Sequence, residues 1–182
     1  MSRPAVFLDR DGTIIVEKVY LSDPDGVEFI AGSVEAMRQL ADAGFVVVIV
    51  TNQAGIARGK YGVEEYQAVA RRVAERLEEG GVQVGGTYFC PHHPDVTGAC
   101  DCRKPGTGMY RQAAAALALD FDQSWFVGDK LSDVGAAEAL GGCGILVRTG
   151  YGAELEGEAP SHIPVVDDLA TAVRHIIDRA GR

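Results

Sequence analysis

The chain has no long hydrophobic run. Its most hydrophobic stretch, Phe45 to Val50, has six residues, whereas a membrane span needs about 20. No apolar segment with a cleavage site precedes the first candidate strand at Ala5, so no secretory signal is read and a cytoplasmic protein is expected. Basic charge is scarce: 17 Lys and Arg stand against 26 Asp and Glu, for a formal net charge of -9. An acidic surface disfavours nucleic acid and anionic membranes as partners. A small phosphorylated substrate is still allowed, because a few local cations and a metal can override the global field. Cysteine is sparse, four in 182 residues, which excludes a disulfide-dense scaffold. There is no internal repeat and no linker. With 47% hydrophobic and 24% charged residues, the chain reads as one globular domain, 1–182, expected to act as a monomer.

Short apolar runs alternate with helical patterns. Ala5 to Leu8, Phe45 to Val50, Thr87 to Phe89, Ser124 to Val127, Gly144 to Val147 and Val165-Val166 read as strands. The run from Phe45 is β-branched and continuous, as expected of a central parallel strand covered on both faces. Helices are expected from Ser33, an N-cap candidate, to Gly44, and over 63–79, 108–119, 131–140 and 168–179. Tyr151 to Pro164 reads as loop, and Cys143 as a buried small apolar residue. His162 and His175 have no visible partners. The alternation predicts an α/β fold: a doubly wound, mainly parallel, Rossmann-like sheet with helices on both faces.

Polar groups then gather where strands end. Asp9-Arg10-Asp11-Gly12-Thr13 follows the first strand. Two carboxylates there can share a divalent cation and divide nucleophilic and acid/base work, or they can be solvated acids in a turn. Thr51-Asn52-Gln53 follows the second strand and offers uncharged donors suited to a phosphate. Arg103-Lys104 supplies two cations for an anionic substrate, and Gly128-Asp129, with Asp133 beyond, adds acids after the fourth strand. Cys90-x-His92, seven residues, then Cys100-x-Cys102 matches a closed Cys₃His zinc site, a structural staple for a long loop. His93, beside His92, could replace it but is read as a bystander.

The order Asp-x-Asp-Gly-Thr, Thr-Asn, Lys104 and Gly-Asp-x-x-x-Asp resembles the four motifs of haloacid-dehalogenase-type phosphatases, from Ala5 to about Gly150. The cysteine loop narrows the resemblance to the subfamily of D-glycero-D-manno-heptose 1,7-bisphosphate 7-phosphatases and histidinol-phosphate phosphatases. Thr51 to Lys60 and Gly128 to Leu131 look closer to the heptose enzymes. That resemblance implies a phosphomonoester hydrolase of heptose or lipopolysaccharide-type sugar nucleotide biosynthesis, without a cap domain. It implies Asp9 as nucleophile and Asp11 as general acid/base. Mg²⁺ would be held by Asp9, Asp129 and the Asp11 main-chain carbonyl. Thr51 and Lys104 would act on the phosphoryl group, and Asp133 would orient Lys104 or the metal waters. Substrate contacts are implied at Asp9, Asp11, Glu17, Tyr20, Thr51, Asn52, Gln53, Arg103 and Lys104, with Arg103 meeting the phosphate that is not cleaved. The competing readings are a histidinol-phosphate phosphatase, a polynucleotide 3′-phosphatase, which would need a basic groove, and a zinc-stapled binding module without catalysis.

Overall fold

The computed structural model of the protein describes residues 2–181. Its six strands are β1 (Arg3–Leu8), β2 (Val46–Asn52), β3 (Gly86–Cys90), β4 (Leu119–Gly128), β5 (Cys143–Val147) and β6 (Val165–Val166). They form one sheet in the order β3-β2-β1-β4-β5-β6, and every pairing is parallel. The helices are α1 (Ser33–Asp42), α2 (Ala54–Ala57), α3 (Val63–Glu79), α4 (Pro94–Thr97), α5 (Gly108–Leu117), α6 (Leu131–Leu140), α7 (Gly152–Leu155) and α8 (Leu169–Ala180). This is the doubly wound arrangement expected of the sequence. None of the described helices is long and apolar enough to cross a membrane.

Period-2 alternation sorts each strand between two cores. Val6 and Leu8 of β1 join Val47 and Ile49 of β2 under α1, α3 and α8, packed with Met37, Leu40, Val69, Val73, Leu77, Val173 and Ile176. Ala5 and Phe7 join Val48 and Val50 on the other face, under Met109, Tyr110 and Ala113 of α5 and Ala136, Ala137 and Leu140 of α6. Because both faces are covered, the strands carry apolar side chains at consecutive positions. Phe7 anchors the second core: its ring lies 4.9 Å from that of Phe126 in a stacked pair and 5.3 Å from that of Tyr110, edge to face.

The structure departs from the sequence expectations at several positions. Ser33 is the first helical residue, and its hydroxyl donates to the Ile14 carbonyl rather than capping α1. β4 begins at Leu119, because Arg3 and Pro4 pair with Leu119 and Asp120 before the register shifts. At that irregularity the Ser124 hydroxyl accepts from the Ala5 N–H, 2.9 Å, and so satisfies a buried donor. Cys143 is exposed, not buried, because it starts β5 at the strand's amino end. Residues 151–164 contain α7 and a short 3₁₀ turn. His175 packs edge-on against Trp125, 5.8 Å between ring centroids.

Phe7→Ala should lower unfolding stability by about 3–5 kcal/mol, the usual cost of an aromatic cavity in a closed core. Urea titration should show a lower midpoint with an unchanged slope. A loss below about 1 kcal/mol would mean that this face is not packed as described.

Candidate active site

Strand order reverses between β1 and β4, and ligands of such sheets bind where that reversal opens a crevice at the carboxyl ends. Asp9 and Asp11 leave β1 there, Thr51 and Asn52 end β2, and Asp129 follows β4. A pocket of about 380 Å³ lies over them, lined among others by Glu17, Tyr20, Gln53, Arg103, Lys104, Lys130 and Asp133. Asp129 sits beneath it, fully buried.

Lys104 is the hub. Its Nζ lies 2.7 Å from Asp9 Oδ1, 2.8 Å from Asp133 Oδ1 and 2.6 Å from the Val50 carbonyl. Burial alone would lower the Lys104 pKa, but Asp133 and Asp9 outweigh it and hold it raised. Asn52 grips the same residue from the side. It donates to the Lys104 carbonyl, 3.2 Å, and accepts from the Lys104 N–H, 3.0 Å. Asp133 uses its other oxygen to accept from the Lys130 N–H, 2.9 Å.

Asp129 is held differently. Oδ2 accepts from the Tyr151 N–H, 2.9 Å, while buried Oδ1 has no partner among the described residues. Burial first, and the nearby Asp9 charge second, push its carboxyl up to about 8. Gly12 (φ +88) and Gly150 (φ +59) approach it closely, and a Cβ at either would collide with Oδ2. Oxygens of Asp9, Asp129 and Asp133 lie within 4.8 Å of one another. Asp133 is committed to Lys104 and Lys130, so Asp9 and Asp129 form the pair open to a cation. The orphaned oxygen and the all-oxygen donor set fit Mg²⁺.

A second cluster stands nearby. Ligand atoms of Cys90, His92, Cys100 and Cys102 also lie within 4.8 Å of one another, and all three cysteines are free thiols. Burial and the neighbouring Cys90 and Cys100 sulfurs push the Cys102 thiol up, a crowding that a bound cation would relieve. The cluster includes His92 and not His93. His93 turns away, with Nε2 2.8 Å from Arg58 Nη2, and lines the pocket instead. Arg103 donates to the His92 carbonyl, 3.2 Å, so this loop and the pocket share a wall.

A HAD-hydrolase-like family model matches residues 101–172. The chain is 46% identical to a D-glycero-beta-D-manno-heptose-1,7-bisphosphate 7-phosphatase of Yersinia pestis, over 95% of this chain and 96% of that one. It is 42% identical to the enzyme of the same name from Haemophilus ducreyi, over 97% and 100%. A crystal structure of D,D-heptose 1,7-bisphosphate phosphatase from B. bronchiseptica, complexed with magnesium and phosphate, superposes with a TM-score of 0.88 at 33% identity, covering 97% of this chain and 99% of that one. The chain belongs to the heptose-bisphosphate phosphatase family of HAD-like hydrolases. It is a phosphatase, and the family resemblance read from its motifs is borne out. The histidinol-phosphate reading is not favoured.

The remaining strand-end acid of this phosphatase, Asp11, has no contact with Lys104 among its hydrogen bonds. It accepts from Arg10 through both oxygens, Nε to Oδ2 at 3.0 Å and Nη2 to Oδ1 at 3.1 Å. Gln53 Nε2 adds a third bond to Oδ2, 3.0 Å. Behind Gln53 stands Tyr61, whose hydroxyl pKa burial pushes up to about 12, so it stays a donor. Arg10 and Tyr61 were not legible as site residues. Arg10 lies between the two aspartates yet is 2% exposed, and no signal in the sequence separates such a buried arginine from a solvated one.

The Asp129 shift has a consequence for metal binding. An unfolded Asp titrates near pH 4. With its folded value raised to about 8, the carboxyl favours the cation-free fold most below pH 4 and loses that contribution as pH rises through 8. A cation must displace the proton, so Mg²⁺ at fixed concentration should raise the Tm more at pH 8.5 than at pH 5.5. Equal shifts at the two pH values would contradict this account of Asp129.

Proposed function

We propose that the enzyme removes the 7-phosphate of D-glycero-D-manno-heptose 1,7-bisphosphate through an aspartyl-phosphate on Asp9. The observation that carries the reading is the buried Asp9–Lys104–Asp133 triad at the mouth of β1, in a chain 46% identical to a phosphatase of that name. Asp9 attacks phosphorus in line, and the bond from phosphorus to the sugar oxygen breaks. Asp11 gives its proton to that oxygen. A water then attacks the aspartyl-phosphate, Asp11 takes the water's proton, and inorganic phosphate leaves with the Asp9 carboxylate restored. Lys104 and Thr51 stand where phosphoryl charge develops. Asp9, Asp129 and the Asp11 main-chain carbonyl would hold Mg²⁺, which when bound neutralises phosphate charge. Cys90, His92, Cys100 and Cys102 would hold a structural Zn²⁺, a closed set with no open position for chemistry. We take the enzyme to be a single-domain cytoplasmic monomer acting on a free sugar phosphate, in keeping with its net charge of -9.

Specificity then rests on the loops around an open pocket: Glu17, Tyr20, Gln53 and Arg103 line it. Arg103 is assigned to the 1-phosphate, which is bound alike in the ground and transition states. Asp9→Asn should cut kcat/KM on the heptose bisphosphate by at least about a thousandfold with the fold intact. The unmodified enzyme should prefer that ester to histidinol phosphate. Comparable efficiency on the two would remove the heptose reading.

Arg103→Ala should raise KM for the bisphosphate roughly 10- to 150-fold, the worth of a charge-assisted contact, and leave a monophosphate nearly unaffected. Zinc on the same preparations should be about one ion per chain in both. Equal losses on both substrates together with lost zinc would reduce Arg103 to a brace of the cysteine loop.

A further inference from the structure

Asp11 has to meet two different oxygens, first the leaving group and then the water, from one open pocket. Its side chain is 15% exposed, and a carboxylate on two soft torsions does not aim itself. We propose that Tyr61, acting through Gln53, and Arg10 are positioning residues that aim the Asp11 carboxyl at the leaving-group oxygen. The proposal rests on the reading of Asp9 as nucleophile and Asp11 as acid.

Three contacts make up the device. Tyr61 donates its hydroxyl hydrogen to Gln53 Oε1 at 2.5 Å. That bond decides which way the amide faces: with its oxygen turned to Tyr61, its nitrogen must face the other way. Gln53 Nε2 there donates to Asp11 Oδ2, 3.0 Å, and to Thr51 Oγ1, 2.9 Å. The flipped amide would set an oxygen against the carboxylate, which is repulsive. Arg10 closes the clamp from behind. Its fork takes both Asp11 oxygens in the bidentate geometry that fixes a carboxylate plane. Arg10 is itself immobilised by burial and by lying 5.5 Å from the Tyr66 ring centroid.

Gly55 makes the arrangement possible. A Cβ there would collide with the Tyr61 ring and come within 2.9 Å of Tyr20 Cδ1, so the ring reaches Gln53 only over a glycine. Tyr61 lies eight residues beyond Gln53, past the short α2, and no other hydrogen bond to its hydroxyl is recorded among the described residues. It lines the pocket, but the polar end is directed at the amide.

Leaving-group chemistry separates this role from binding or general support. A sugar alkoxide needs the Asp11 proton to depart; p-nitrophenolate departs without one. The second-order constant kcat/KM reports events up to departure and excludes the later hydrolysis of the aspartyl-phosphate. Tyr61→Phe, made in the full chain and assayed with Mg²⁺, should lower kcat/KM on heptose 1,7-bisphosphate by about tenfold or more. The same variant should lose roughly two- to threefold at most on p-nitrophenyl phosphate. The loss on the sugar phosphate should fall on kcat, with KM spared.

Equal losses on the two substrates, a loss confined to KM, or no loss in Tyr61→Phe would each overturn the proposal. Turnover of p-nitrophenyl phosphate that survives Asp9→Asn would instead remove the nucleophile reading, and this proposal with it.

Discussion

The structure turns on one ammonium group placed between two buried carboxylates. Asp9, Lys104 and Asp133 are each under 7% exposed, and Lys104 Nζ touches both acids within 2.8 Å. Two such acids side by side without a cation would repel each other at low dielectric, and burying either alone would cost several kcal/mol. The triad also joins parts of the chain that are far apart. Asp9 comes from the end of β1, Lys104 from the segment after the cysteine loop, and Asp133 from the first turn of α6. Asn52 at the end of β2 locks the Lys104 backbone to the sheet. A fold that misplaced any one of these would leave a buried charge unpaired, so the site and the fold constrain each other.

The acids around the pocket differ in chemistry because their partners differ. Asp9 has an ammonium. Asp129 has one backbone N–H and one bare oxygen, and burial first and the Asp9 charge second push its carboxyl up to about 8. Asp11 has a guanidinium fork and an amide. In the proposed mechanism the same functional group would then serve three ways: as a nucleophile held by a cation, as an oxygen free for a metal, and as a carboxyl that carries protons. Such separation of environments lets several carboxylates share one phosphoryl group without duplicating roles.

Much of this was legible in the sequence. The apolar runs at Ala5 and Phe45 mark doubly covered strands, and the helix over 63–79 is found with the bounds its periodicity predicts. The polar clusters at strand ends follow from the placing of ligands at the carboxyl ends of parallel strands. Periodicity says nothing, however, about contacts that depend on where loops return. His92 is read from its spacing to the cysteines, but the turn of His93 toward Arg58 and the pocket is not, because adjacent residues of a loop differ only in direction. Tyr61 is an ordinary aromatic in the sequence and becomes a partner of Gln53 only because Gly55 lets the ring in. The exposure of Cys143 at the start of β5 and the early start of β4 against Arg3 and Pro4 depend on strand pairing, which local patterns do not encode.

The central claim, that the cation-held Asp9 is the nucleophile that takes up the phosphoryl group, is tested most directly by trapping. Enzyme turning over heptose 1,7-bisphosphate with Mg²⁺ would be quenched in acid within the first turnover, digested, and read by mass spectrometry. The account predicts a phosphoryl group on the peptide bearing Asp9 and on that residue, absent when substrate is omitted. A phosphoryl group on Asp11, or turnover with no trapped adduct while hydroxylamine leaves the rate unchanged, would contradict it.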